Sequence, residues 1–314
     1  MEKKYVIGVD LGGTKIYTAL VDLDGKIKKE ITIKTEADKG EVAVLEKILY
    51  TIDHVLVGSD INEVRAIGIG SPGPLDVEKG LIVYTPNLPF KNFNIVKPIR
   101  EKYNVDTYLD NDANVATLGE FMFGAGKGSK NMVFITASTG IGGGAILNGS
   151  LFRGSTSNAL EIGHMTVMNG GPRCGCGNTG CAESLASGTA IMKRANEAVE
   201  SNAYTSLKNY EKITAREVFI EAEKGDREAQ DILNNALTYL GITIANAANI
   251  FDPDIIVLGG GVSNGGRIVF DKIKEEMDRR CLRTIANHCE VKKAMLDSKA
   301  GVLGAAALAI LESK

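Results

Sequence analysis

Residues 173–183 read RCGCGNTGCAE, which places Cys174, Cys176 and Cys181 within eight residues, spaced by glycines. Thiols crowded in this way serve one of three ends: a disulfide, a metal that builds a small finger, or a metal at a catalytic site. Two further groups of residues have types suited to chemistry. LDNDANVA sets Asn111 and Asp112 where a strand-like run turns into a helical one. A carboxylate there can take a proton from a substrate hydroxyl while the neighbouring amide holds that substrate; equally, Asn and Asp are favoured as helix N-caps. DLGGTK (Asp10 to Lys15) lies between two strand-like runs, where glycines bring backbone N–H groups close to a phosphate. In that loop Asp10 could hold Mg²⁺ through water and Thr14 could add a hydroxyl donor. A plain hairpin turn would explain the same six residues.

The glycine loops recur. STGIGGG, with Thr139, Gly140 and Gly142, opens a second strand–turn–strand pattern, and VLGGGVS places Gly259, Gly260 and Gly261 after a third apolar run. Two loops of the first kind could hold a polyphosphate, and the third suits a flat base lying against backbone. Two other matches fail in context. GIGSPG satisfies the spacing of a dinucleotide fingerprint, but Pro72, Pro74 and Asp76 stand where a helix should begin. GAGKGS has glycine after Lys127, against the Ser or Thr of a P-loop.

The elements that must position these residues follow from periodicity. YVIGVDLG, KIYTALVD and KIKKEITIKT read as three strands, the last two joined by a turn at Asp24-Gly25. EVAVLEKILYTIDHVLV is helical, VRAIGIG a strand, FNIVKPIREKYN a helix, DTYLDND a strand and turn, and ANVATLGEFMFG a helix. The pattern restarts at MVFITAS and continues through GGAILNG to a third short strand. DREAQDILNNALTYLGITIANAANI is a long helix, DIIVLGGGVS a buried strand, and GVLGAAALAILES a closing helix. Two strand-rich openings, each followed by helix–strand alternation, predict an α/β protein of two similar halves, divided near residues 115–130.

Composition narrows the function classes. The 314 residues carry a formal net charge of −3, with 44% hydrophobic and 24% charged residues. That balance offers no basic face for nucleic acid and none for a membrane surface. The opening MEKKYVIGVDLGG lacks the unbroken apolar run of a signal peptide or membrane span, so we read the protein as cytoplasmic. Thiols stay mostly reduced there, which favours metal over disulfide for the cysteine cluster.

Residues 160–183, LEIGHMTVMNGGPRCGCGNTGCAE, carry the most specific pattern: E-x-G-H followed by C-x-C-G-x-x-G-C-x-E. With DLGGTK, NDANVA, TGIGGG and LGGGVS in this order, the chain resembles the ROK family of bacterial sugar kinases and related repressors over essentially its whole length. The resemblance implies the actin-like ATPase (ribonuclease H-like) fold, two α/β lobes around a central cleft. The lobes expected are residues 1–115 plus about 302–314, and 116–301 with a zinc-bound loop. By motif position Asp112 would be the catalytic base on a sugar's primary hydroxyl. Asn111, Glu161, His164 and Glu183, with Gly73 and Asn87, would hold the sugar. Asp10, Gly12, Gly13, Thr14 and Lys15, with Thr139, Gly140 and Gly142, would hold the phosphates and Mg²⁺, and Gly259–Gly261 the adenosine of ATP. The expected activity is ATP-dependent phosphorylation of a hexose, glucose first, with N-acetylmannosamine, fructose and allose as alternatives. The family resemblance also implies a homodimer or homotetramer.

His164, Cys174, Cys176 and Cys181 make a Cys₃His set, the donor set of a structural Zn²⁺ with no position left open for water. His164 can serve both metal and sugar, since an imidazole has two nitrogens. His54, Cys281, Cys289 and His288 receive no role. The chain departs from the family near the sugar motifs: Leu160 stands where a glycine usually precedes the glutamate, Phe90-Lys91 replaces a familiar pair in TPNLPFKNF, and residues 155–158 lack a common glycine. A family repressor would add a winged helix-turn-helix with a basic face ahead of this core. With the first strand starting near Tyr5, the sequence reads as the kinase.

Overall fold

In the computed structural model of the chain, residues 3–85 and 87–313 are described; Pro86, within the TPNLPFKNF stretch, lies outside them. The chain divides into two compact units, Met1–Gly128 with Gly144–Ala159 and Met295–Lys314, and Ser129–Gly143 with Leu160–Ala294. The expected boundary at 115/116 would have cut a helix. That helix belongs wholly to the first unit because it packs along the C-terminal helix of the same unit.

The first sheet is built from β1 (Tyr5–Leu11), β2 (Lys15–Asp22), β3 (Ile27–Lys34), β4 (Val64–Ser71) and β8 (Thr107–Asn111), in the order β3-β2-β1-β4-β8. β1–β2 and β2–β3 are antiparallel, and β1–β4 and β4–β8 parallel. Both faces are covered, which explains the near-continuous apolar run of β1. Ile7, Val9 and Leu11 join a core with Val44, Ile48, Ile52 and Val55 of α1 (Glu41–Leu56). Val6 turns the other way, onto Val302, Leu303 and Ala306 of α10 (Ala300–Glu312). The small residues of GVLGAAALA let that helix lie very close to the sheet. A Cβ on Gly68 would fall 1.9 Å from the Ala305 carbonyl oxygen, so only glycine fits there.

Three short strands, β5 (Leu75–Asp76), β6 (Leu81–Tyr84) and β7 (Lys91–Asn94), form a separate small sheet. Its last strand takes residues 91–94, so the helix expected from Phe93 begins later, as α2 (Val96–Tyr103). Phe90, in the departing pair Phe90-Lys91, is 1% exposed and stacks on Phe93 with centroids 5.0 Å apart. It is a core residue of its unit. α3 (Asp112–Phe123) follows β8 directly, and its fully buried Glu120 accepts N–H groups from Ala125, Met295 and Leu296.

The second sheet repeats the order of the first: β11 (Ser150–Leu151), β10 (Ile141–Leu147), β9 (Met132–Ala137), β12 (Ile255–Gly259) and β13 (Glu290–Lys293). β9–β12 and β12–β13 are parallel. The helices of the second unit are α4 (Ala182–Ala186), α5 (Gly188–Glu200), α6 (Ala215–Glu223), α7 (Arg227–Phe251), α8 (Arg267–Arg280) and α9 (Arg283–His288). α7 runs unbroken through Gly241, where the side chain of the fully buried Glu276 on α8 packs into the space a Cβ would need. Among the described residues no helix is long and apolar enough to cross a membrane.

Candidate active site

In the first unit, the N-cap of α3 is Asn111, whose side-chain oxygen accepts the Ala113 N–H at 2.9 Å. The capping role open to either residue of the pair thus falls to Asn111, and Asp112 becomes the first helical residue. Its carboxylate accepts the same N–H at 2.8 Å, and the residue is exposed. The protein packed behind it raises its pKa above the ordinary carboxylate range, against the opposing pull of the Ala113 and Asp112 N–H groups and the Asn111 amide. Gly73 lies beside this amide: a Cβ there would be 3.6 Å from Asn111 Nδ2.

The DLGGTK loop is a tight turn. Gly12 donates its N–H to the Lys15 carbonyl at 3.0 Å, while Thr35 binds the Gly12 carbonyl through its hydroxyl and the Thr14 carbonyl through its N–H. A Cβ on Gly13 would fall 2.8 Å from the Asn87 carbonyl oxygen, so the loop presses its backbone against Asn87. Thr14 and Lys15 are exposed. Asp10, at the end of β1, has its carboxyl pushed up to about 6, first by burial and then by the Asp112 charge, with Lys15 opposing. A buried carboxyl that a neighbouring carboxylate makes costlier to ionise suits a divalent cation, and Asp10 is the residue that would hold Mg²⁺.

In the second unit, the cysteine loop is a clipped hairpin. Cys174 N–H donates to the Asn178 carbonyl, Gly180 N–H to Pro172, and Ala182 N–H to Met165. Gly180 has a φ of 71°, and a Cβ there would fall 1.7 Å from the Met168 carbonyl oxygen. The ligand atoms of His164, Cys174, Cys176 and Cys181 all lie within 4.8 Å of one another. Cys176 and Cys181 sulfurs are 3.7 Å apart, and His164 Nδ1 is 3.7 Å from Cys174 Sγ. A disulfide requires about 2.05 Å, and all five cysteines are free. Tetrahedral ligands at a Zn–S length of about 2.3 Å stand about 3.8 Å apart, close to the two 3.7 Å separations, so the donor set is of a kind that would hold zinc. Among the described residues it is the one such group; His288 faces Asp254 instead, at 3.4 Å.

Three predicted sugar contacts surround this loop. His164 directs its other nitrogen, Nε2, toward the Glu161 carboxylate 3.9 Å away, so its two nitrogens face the cysteines and a carboxylate separately. Glu183, in the first turn of α4, accepts the Ile141 N–H at 3.0 Å and lies 3.8 Å from Cys174 Sγ. A Cβ on Gly140 would meet the same carboxylate at 2.3 Å. The TGIGGG loop and the cysteine loop are therefore joined through one side chain.

A cavity of about 960 Å³ opens beside the glycine loops of this unit. Of the residues expected to hold nucleotide in this unit, Thr139 and Gly261 line it, beside Ser138; Gly140, Gly142, Gly259 and Gly260 do not. Gly260 instead lets its strand end approach β9, with the Ala137 carbonyl oxygen 2.4 Å from where a Cβ would be. The apolar wall comes from residues that the motif search missed: Met192 of α5 and Phe219 and Ile220 of α6. The available signal was TAREVF, since Thr214 and Glu217 form a capping box that starts α6. Glu221 anchors that helix by accepting from Ser206, Tyr210 and Lys224. The Lys224 ammonium, ahead of the two hydroxyls, holds its carboxyl at about 2.

Comparison with known proteins finds relatives over nearly the whole chain. The sequence profile of the ROK family matches residues 6–312. The glucokinase of Thermotoga maritima is 38% identical over 98% of each chain. The crystal structure of a ROK hexokinase from Thermus thermophilus superposes with a TM-score of 0.85 at 34% identity, covering 98% of both chains. That of a ROK family glucokinase from Streptomyces griseus in complex with glucose and AMPPNP gives 0.77 at 33%, covering 97% of this chain and 98% of that one. The α/β architecture, with its twice-used sheet order, is the actin-like ATPase fold. The chain belongs to the ROK family.

Proposed function

We infer that this chain is an ATP-dependent sugar kinase that phosphorylates glucose at its primary hydroxyl. The observation that carries the reading is Asp112. Its carboxylate opens to solvent at the start of α3, beside the Asp10 loop of the same unit, with a pKa raised toward the range useful to a base. A sugar-sensing protein without activity would have no need of it.

In this reading Asp112 accepts the proton of the attacking hydroxyl as that oxygen engages the γ-phosphorus. Asn111, Glu161, His164 and Glu183 accept from or donate to the remaining hydroxyls, and ionised carboxylates make the strong bonds of this kind. The backbone N–H groups of the DLGGTK and TGIGGG loops, with Thr14, Lys15 and Thr139, bind phosphate oxygens, and the α5–α6 cavity takes adenosine. Mg²⁺ held by Asp10 would neutralise charge on the phosphates, the main requirement of phosphoryl transfer besides positioning. Bringing both substrates together supplies on the order of 7–11 kcal/mol of the barrier. His164, Cys174, Cys176 and Cys181 would hold a structural zinc that orders the loop, and the His164 Nε2, which faces the Glu161 carboxylate, would remain for the sugar.

A coupled ADP-release assay across glucose, mannose, fructose, allose and the N-acetylhexosamines tests the reading. Glucose should give the highest kcat/KM; ADP release with none of them would refute it.

A further inference from the structure

Glu161 stands at the centre of a turn that leucine resists making. Leu160 has a φ of 65°, in the left-handed region. Its carbonyl accepts the Ile162 N–H at 2.6 Å, and Glu161 between them has φ −65° and ψ 51°, an inverse γ-turn. The turn runs straight into a 3₁₀ segment, Ile162–His164, where the His164 N–H binds the Glu161 carbonyl at 3.0 Å. The segment is tightly packed. Ile162 is buried, and a Cβ on Gly163 would fall 2.1 Å from the Ile141 carbonyl oxygen. Held this way, the Glu161 side chain is 62% exposed and the His164 imidazole lies 3.9 Å from it.

A glycine would take the left-handed conformation without cost, but it would also roam across the whole positive-φ range. An L-residue has only a small well there, about +50° to +70° in φ. Leucine thus adds strain and removes freedom at the residue that aims Glu161. Strain of this kind persists where the surroundings over-determine the backbone, as they do here, and it concentrates at ligand sites.

We propose that Leu160 is a positioning residue for the acceptor sugar: the left-handed turn it confines aims the Glu161 carboxylate and sets which hydroxyl pattern the enzyme accepts. The inference rests on the sugar-kinase reading above. The test is steady-state kinetics on the full chain with Leu160→Gly and Leu160→Asn, with glucose, its epimer mannose and N-acetylglucosamine as acceptors. Leu160→Gly should raise the glucose KM about five- to tenfold and cut the glucose-to-mannose kcat/KM ratio at least about threefold. Glucose kcat and the ATP KM should stay within about twofold, and the thermal midpoint should not fall. Asparagine tolerates the left-handed region and keeps a Cβ, so Leu160→Asn should keep the wild-type ratio. Wild-type KM and selectivity in Leu160→Gly would overturn the proposal. So would a joint rise of the sugar and ATP KM with a lowered midpoint, which marks a merely structural role. ADP release by the wild type with no sugar would instead sink the kinase reading itself.

Discussion

The Glu183 carboxylate accepts a hydrogen bond from the Ile141 backbone N–H at 3.0 Å, tying the last residue of the cysteine motif to the second glycine loop. One side chain thus contacts both a proposed sugar-binding segment and a proposed phosphate-binding one. Glu183→Ala removes the acceptor of that bond and of the proposed sugar contact, and hydrogen bonds to carboxylates are each worth about 1.5–3 kcal/mol. The KM values for glucose and for ATP should both rise, by about tenfold each. Kinetics with either substrate varied will check this; an unchanged ATP KM would confine Glu183 to the sugar.

Asp112→Asn keeps shape and capping geometry but cannot take a proton. The kcat should drop by about 10²–10⁴, while glucose affinity, measured by calorimetry, stays within about threefold. Near-normal turnover would remove Asp112 from the base role.

Much of this site was legible in the sequence because its chemistry is local. The cysteines, Glu161, His164 and Glu183 fall within 24 residues, and the DLGGTK and NDANVA motifs each sit at a strand end that periodicity locates. The walls of the α5–α6 cavity were not legible. Met192, Phe219 and Ile220 read as ordinary apolar positions of amphipathic helices, and only their packing reveals that they enclose a space. The strain at Leu160 was also hidden, since a dihedral angle leaves no mark on composition. Phe90-Lys91 misled in the opposite direction: a departure beside a sugar motif proved to place a buried core phenylalanine.

The Cys₃His set should carry about one zinc per chain in elemental analysis of purified protein. Cys176→Ala should reduce that content and weaken glucose binding, because His164 and Glu183 are both set by the loop. Chelation should lower the thermal midpoint. A metal-free mutant with wild-type glucose KM would contradict a role for zinc in the site.

Asp10 gives a pH signature of its own. Its carboxyl is raised from 3.8 to about 6, chiefly by burial, so the folded state binds the proton more tightly than the unfolded chain. Between these values the folded state holds more protons, and stability falls as pH rises, levelling off above about 6. The rise from 3.8 to about 6 corresponds to about 3 kcal/mol. In urea titrations with EDTA and no nucleotide, Asp10→Asn should be more stable than wild type at pH 7.5 by up to that amount, with the difference vanishing near pH 4. The same variant should lose kinase activity. A stability difference that grows toward low pH would contradict the assignment.

The central claim is a transfer to one particular oxygen, so the product decides it. Incubation with glucose, ATP and Mg²⁺, followed by ³¹P-coupled NMR of the sugar product, should show phosphate on the primary hydroxyl, in step with ADP release and absent in Asp112→Asn. Phosphate on any other carbon, or ADP release without a phosphorylated sugar, would contradict the account.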